Sequence, residues 1–150
     1  RNFYACTRRR YRMNAYEKVL KSREKGRPTA VKYIGSIVEN FIELHGDRRF
    51  SDDKAIIGGI GTISGMPVTV IGIEKGDGTA DKIAHNFGCA HPEGYRKAVR
   101  LMKEAVKGAC FVKASGGIKN GEQFKSMLDA GADRVGTSSG VEIAKDLNGK

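Results

Sequence analysis

The sequence has no tryptophan, three prolines and three cysteines. Cys6, Cys89 and Cys110 are odd in number and carry no CxxC spacing. That excludes a disulfide scaffold and a cysteine-rich zinc site, and it fits a reducing compartment with buried or idle thiols. His45, His85 and His91 show no HExxH or related ligand spacing, so no metal site is expected. No apolar run approaches the roughly 18 residues that span a bilayer, which excludes a membrane helix. The basic start lacks the apolar segment of a signal peptide. Together these absences place the protein in the cytoplasm, as a globular chain.

Glycine, by contrast, is abundant, with 20 residues among 150. In a sequence without repeats this marks tight turns and close backbone approaches. The formal net charge is +10, and most of it sits at one end. Residues 1–32 hold eleven basic side chains against two acidic ones, Glu17 and Glu24. No aromatic-and-basic platform accompanies them, so the charge is read as a solvated face plus a leader rather than a nucleic-acid arm. Residues 1–13 are expected to be this basic leader, disordered or non-native.

From Asn14, a candidate N-cap, the pattern predicts a helix with Tyr16, Val19 and Leu20 on one face, stopped by Gly26. Pro28 opens a second predicted helix with an apolar stripe from Val31 through Ile34, Ile37, Val38, Phe41 and Ile42. A polar connection over 43–54 leads to two predicted strands, 55–63 and 68–73, joined by a turn at 64–67. The glycines of the first strand are expected where another backbone comes close. Gly58, Gly59 and Gly61 lack GxGxxG spacing and precede a hairpin, so they are not a nucleotide loop. Pro92 begins a predicted helix to about Lys107 with Tyr95, Val99, Met102 and Val106 inward. Glu93, Arg96 and Lys97 are read as its solvated face.

Beyond it the pattern predicts strand 109–113 and a helix capped by Asn120 with Gln123 at capping-box spacing. Phe124, Met127 and Leu128 form that helix's apolar face; strand 133–137 and a final helix follow. Strand, helix, strand implies two parallel strands. Ligands in such folds sit at the carboxyl ends of the strands. There the sequence places Gly116 and Gly117 after one strand, and Ser138 and Ser139 after the next. Glycine admits an anion close to backbone N–H groups, and the serines add hydroxyl donors, so these four residues are a candidate phosphate cradle. Lys113, just ahead of it, is the candidate catalytic residue: a lysine confined and desolvated there can relay protons.

VKASGGI at 112–118 and AGADRVGTSSGVEI at 130–143 resemble the last two strands of deoxyribose-phosphate aldolase, a (β/α)8 barrel. The resemblance covers about residues 99–147. It implies that Lys113 assists proton transfer and that Gly116, Gly117, Ser138 and Ser139 contact the phosphate of a sugar phosphate. The family's imine-forming lysine, in a VKTSTG-like segment, has no counterpart here. A second resemblance covers residues 14–105. FIELHGDRRFSDDKAIIGGIG at 41–61, VTVIGIEKG at 68–76 and NFGCAHPEGYRKAVRLMKEA at 86–105 are similar to the carboxyltransferase α subunit of bacterial acetyl-CoA carboxylase. That family has a crotonase-like spiral fold and moves CO2 from carboxybiotin to acetyl-CoA, using backbone N–H groups to stabilise an enolate oxyanion. The resemblance implies a carboxyltransferase β subunit and a biotin carrier as partners, with biotin on the carrier and no cofactor bound by this chain.

The expected fold is therefore α/β, a partial crotonase-like spiral segment (14–105) followed by a terminal βαβα unit of a (β/α)8 barrel (106–150). As a chimera of two fragments, it is expected to carry two incomplete active sites and to bind neither nucleic acid nor membrane.

Overall fold

The computed structural model describes residues 13–24 and 26–149. The expected leader lies outside them except for Met13, as does Cys6. Helix α1 (Ala15–Ser22) begins as expected: Asn14 accepts from the Glu17 N–H, and Glu17 reaches back to the Asn14 N–H, both at 2.8 Å. It ends before Gly26, and none of its residues is buried.

Helix α2 (Ala30–Ile37) stops short of the predicted end at Ile42. Val38 turns the chain into an extended conformation, and Glu39–Glu43 form strand β1. The apolar residues here fit either period, and the hydrogen-bonding edge of the next strand decides between them. β1 pairs antiparallel with β2 (Ile56–Ile63), with a register shift between Glu39 and Ile42 where Asn40 takes a positive φ of 51°. β2 pairs antiparallel along its whole length with β3 (Met66–Ile73) through a Ser64-Gly65 turn whose φ values are 50° and 76°. Positive φ at both central residues matches the twist of a two-residue hairpin. The sheet order is β1-β2-β3, so Pro67 sits on an edge strand, where a missing donor is tolerated.

Glu74, just past β3 and 2% exposed, accepts from the N–H groups of Val31 (2.8 Å) and Gly76 (2.7 Å). Thr29, the N-cap of α2, makes no side-chain cap bond, so Glu74 serves the helix N-terminus from a distance in sequence. The polar stretch after it holds a short helix not foreseen in the sequence, α3 (Thr79–Ala84), and a 3-10 turn over Asn86–Gly88.

Helix α4 (Pro92–Val106) joins the two halves. On one side Val99 enters a core with Val112, Ala114, Ile118, Met127, Ala132 and Ile143. On another, Lys97, Ala98 and Leu101 are buried, with Leu101 lying over Gly58 of β2. The predicted inward face was incomplete: Tyr95 is 50% exposed and Met102 is 42% exposed, whereas the second buried stripe was not foreseen. A smaller core of Ile34, Val38 and Ile57 lies under α2.

The chain ends in β4 (Lys113–Ser115), α5 (Gly121–Asp129), β5 (Arg134–Gly136) and α6 (Gly140–Asn148). β4 and β5 are parallel, as predicted, with Lys113 opposite Arg134 and Ser115 opposite Gly136. The strand expected at 109–113 is displaced toward the C-terminus. Lys107 and Gly108 both take positive φ at the end of α4, and chain direction is recovered only after Val112. Asn120 caps α5 by accepting from the Gln123 N–H at 2.9 Å, while the Gln123 side chain accepts from Lys119, one residue beyond the cap. Among the described residues, no helix is long and apolar enough to cross a membrane.

Candidate functional site

Lys113, Gly116, Gly117, Ser138 and Ser139 line one cavity of about 480 Å³, so the five residues singled out in the sequence are brought together. Parallel pairing of β4 and β5 does this, because it leaves both following loops at the same end of the sheet. Gly116 and Gly117 have φ values of 96° and 70°, which other residues adopt only with strain. Thr137 closes the second loop, donating to the Ile118 carbonyl oxygen at 2.6 Å and accepting from the Ser139 N–H at 3.0 Å. Lys113 departs from expectation: it is exposed, not confined and desolvated. β4 and β5 form a sheet of two strands only, which leaves the Lys113 side chain open to solvent. Of the two alternatives for the cysteines, buried or idle, burial does not hold for Cys89 and Cys110, which are both exposed free thiols.

A second cluster was missed. The HGDRRFSDD segment, read as a polar connection, is a folded loop gripped by α4. Lys97, read as part of a solvated face, is 1% exposed. Its Nζ donates to Asp52 Oδ1 and to the Ile56 carbonyl oxygen, both at 3.0 Å. Asp52 also accepts from the Gly46 N–H (2.8 Å) and lies 2.8 Å from His45 Nδ1. One turn along α4, the Arg100 guanidinium donates to the carbonyl oxygens of Gly46 (3.0 Å) and Asp47. Arg96 Nε lies 3.7 Å from Asp47 Oδ2, and Asp47 is 3% exposed. The other Asp47 oxygen accepts from the N–H groups of Arg49 (2.8 Å) and Phe50 (2.7 Å). Asp53, also buried, accepts from Ala55 (2.9 Å) and from His91 (2.5 Å), the residue preceding α4. Gly94 makes room for this carboxylate: a Cβ there would meet Asp53 Oδ2 at 2.5 Å.

The spacing held a clue to this cluster. Gly94, Lys97, Ala98 and Leu101 fall on one stripe of α4, so Lys97 shares its face with small and apolar residues and needs a buried anion.

Burial opposes ionisation of Asp52, but the Gly46 N–H, His45 and Lys97 outweigh it and hold the pKa at about 2 instead of 3.8. The same balance lowers Asp47, where burial is outweighed by the Phe50 and Arg49 N–H groups and by Arg96. A carboxylate with a depressed folded pKa stabilises the fold above its unfolded pKa and loses that contribution as pH falls through the folded value. Stability is therefore expected to drop between about pH 4 and pH 2, and Asp52→Asn to flatten part of that decline. Urea midpoints measured across this range for both proteins check it; identical slopes would exclude Asp52 as a source.

Asp133 ties the other half to α4. Lys103 Nζ lies 2.6 and 2.8 Å from its oxygens, and the Val112 N–H donates to it at 2.8 Å. Lys103 is the main cause of its lowered pKa.

Comparison with known proteins bears on the segment containing this loop and helix. The family model described as "Acetyl co-enzyme A carboxylase carboxyltransferase-like" matches residues 4–113. The acetyl-coenzyme A carboxylase carboxyl transferase subunit alpha of Ruminiclostridium cellulolyticum is 54% identical over 108 residues, 69% of this chain and 42% of that protein. The protein of the same name from Listeria welshimeri is 50% identical over 108 residues, 69% of this chain and 34% of its own length. That from Staphylococcus haemolyticus is 57% identical over 95 residues, 63% of this chain and 30% of its own length. This chain thus spans well under half the length of these relatives. By the family match across residues 4–113, the chain belongs to the acetyl co-enzyme A carboxylase carboxyltransferase-like family.

Proposed function

We propose that this chain is a segment of the carboxyltransferase α subunit of a cytoplasmic acetyl-CoA carboxylase, inactive alone. In that reading it works with a carboxyltransferase β subunit and a biotin carrier, moving CO2 from carboxybiotin to acetyl-CoA to form malonyl-CoA. The observation that carries it is identity of 50% and more to subunits of that name over the segment holding the loop and α4. The buried pairs of Asp47, Asp52 and Asp53 with Arg96, Lys97 and the His91 N–H hold that segment in one geometry. In this reading α2, α4 and the three-stranded sheet are part of a crotonase-like spiral. Biotin belongs to the carrier, and this chain binds no cofactor of its own.

The enolate formed from acetyl-CoA needs fixed N–H donors at its oxygen. In the family resemblance those donors come from glycine-rich sequence downstream of HPEGYRKA, which this chain replaces with other sequence. Association with a β subunit is therefore expected without turnover. Sedimentation of the chain with a β subunit, followed by an assay of malonyl-CoA formation with biotinylated carrier, tests both parts. Failure to associate would remove the α-subunit reading, and turnover would overturn inactivity.

A second reading is favoured by one observation, the shared cavity of Lys113, Gly116, Gly117, Ser138 and Ser139. Here β4-α5-β5-α6 is the terminal unit of a (β/α)8 aldolase barrel that retains a sugar-phosphate contact but no imine-forming lysine. Phosphate binding weakened about tenfold by Ser138→Ala supports it. No binding at millimolar phosphate removes it and leaves residues 106–150 as a non-functional appendage of a chimera.

A further inference from the structure

We propose that the Gly116-Gly117 loop divides a two-part site for a phosphate monoester with an apolar or aromatic substituent, the apolar group lying against α4. This rests on the phosphate reading above and adds the chemistry of the rest of the ligand.

Two cavities adjoin at this loop. The polar one, of about 480 Å³, is lined by Lys113 and Lys119 together with Thr137, Ser138 and Ser139. The other, of about 420 Å³, is walled by Tyr95, Ala98, Val99, Met102 and Met127. Lys113, Ser115, Gly116, Gly117 and Ile118 line both. Among the described residues no carboxylate lines either cavity, whereas two lysines line the polar one, so the pair favours an anion. The Lys113 side chain lies over Gly136, where a Cβ would stand 2.8 Å from Cε and 3.2 Å from Nζ. A residue without a side chain at the end of β5 thus seats the ammonium group at the boundary between the cavities.

The backbone adds donors. Among the described residues, the N–H groups of Gly117 and Ser138 donate to no protein acceptor, whereas that of Gly116 faces the β4-β5 ladder. Backbone donors beside a lysine and a serine hydroxyl match the oxygens of a phosphate. The apolar part has a different origin: it forms because β4 and α5 dock beside α4, leaving Tyr95 50% and Met102 42% exposed next to a packed core. Its volume falls in the range of small-ligand sites, about 300–1,000 Å³, with apolar walls and polar groups converging at one end. Inorganic phosphate would fill only the polar part. A ligand with an apolar group on the phosphate ester oxygen would fill both.

Titration calorimetry of the whole chain with inorganic phosphate, phenyl phosphate and phenol tests this. Phenyl phosphate is expected to bind at least about tenfold more tightly than inorganic phosphate, and phenol to show no binding at the same concentrations. Met102→Glu is expected to remove the tenfold gain while leaving inorganic phosphate affinity within about twofold. Tyr95→Ala, at a half-exposed position, supplies a second variant and is expected to lose part of the gain. Equal affinity for phenyl phosphate and phosphate would overturn the apolar part and leave the phosphate reading standing. Phenol binding as tightly as phenyl phosphate would overturn the two-part site. Binding of none of the three would remove the phosphate reading and this inference together.

Discussion

Lys97→Met is expected to destabilise the protein by about 3 kcal/mol, read as a lower urea midpoint with an unchanged m-value. Lys97 is 1% exposed, and its ammonium group has two acceptors, Asp52 Oδ1 and the Ile56 carbonyl oxygen. Methionine keeps the volume of the stem but leaves both acceptors without their donor. Removing one partner of a buried ion pair costs about 3–5 kcal/mol, because the remaining charge stays desolvated. The Asp52 side chain is 31% exposed, so water recovers part of that loss, which places the effect at the lower end. Against a total stability of about 5–15 kcal/mol this is a large fraction. Adding Asp52→Asn to Lys97→Met is expected to cost less than the sum of the single changes, since both act on one pair. Strict additivity would show that the pair contributes nothing as a pair.

Gly59→Ala is expected to cost at least about 3 kcal/mol, against about 1 kcal/mol for Gly65→Ala in the hairpin turn. Gly59 lies in the middle strand, opposite Glu43 on one side and Val70 on the other. A Cβ there would lie far inside contact distance of the Ile42 carbonyl oxygen, and 2.7 Å from Cζ of Phe41. A carbonyl oxygen fixed in a strand ladder cannot rotate away as a side-chain end can. β1 must therefore shift or detach from β2. Gly65, with φ 76° and nothing within 4 Å of a Cβ, incurs only the conformational strain. Midpoints of the two variants compared in one denaturant series check the contrast; similar losses would mean that the β1 contact is easily relaxed.

These two positions differ in how far they could be read in advance. The glycines of β2 were legible as places where backbone approaches closely, because a β-branched strand has little other reason to carry three of them. Asn14, Asn120 and the Ser64-Gly65 turn were legible too, since caps and turns depend on neighbours in sequence. So was the shared location of Lys113, Gly116, Gly117, Ser138 and Ser139, though not the exposure of Lys113, because parallel strands put successive loops at one end. Lys97 was not. Its charge marks a solvated position unless an acidic loop some 45 residues earlier folds over it. The end of α2 was not legible either, since Val38, Phe41 and Ile42 suit a helix stripe and a strand face alike.

The sequence by itself determined α1, α4, α5 and the β2-β3 hairpin with their caps and turns, the family to which residues 4–113 belong, and the common end of the sheet at which the two glycine and serine loops lie. Only the tertiary structure decided which cations of α4 are buried, where α2 gives way to β1, and that Lys113 stands exposed. The reason is physical. Caps, turns and chain direction depend on groups a few residues apart, whereas desolvation and strand pairing depend on segments that meet only when the chain has folded.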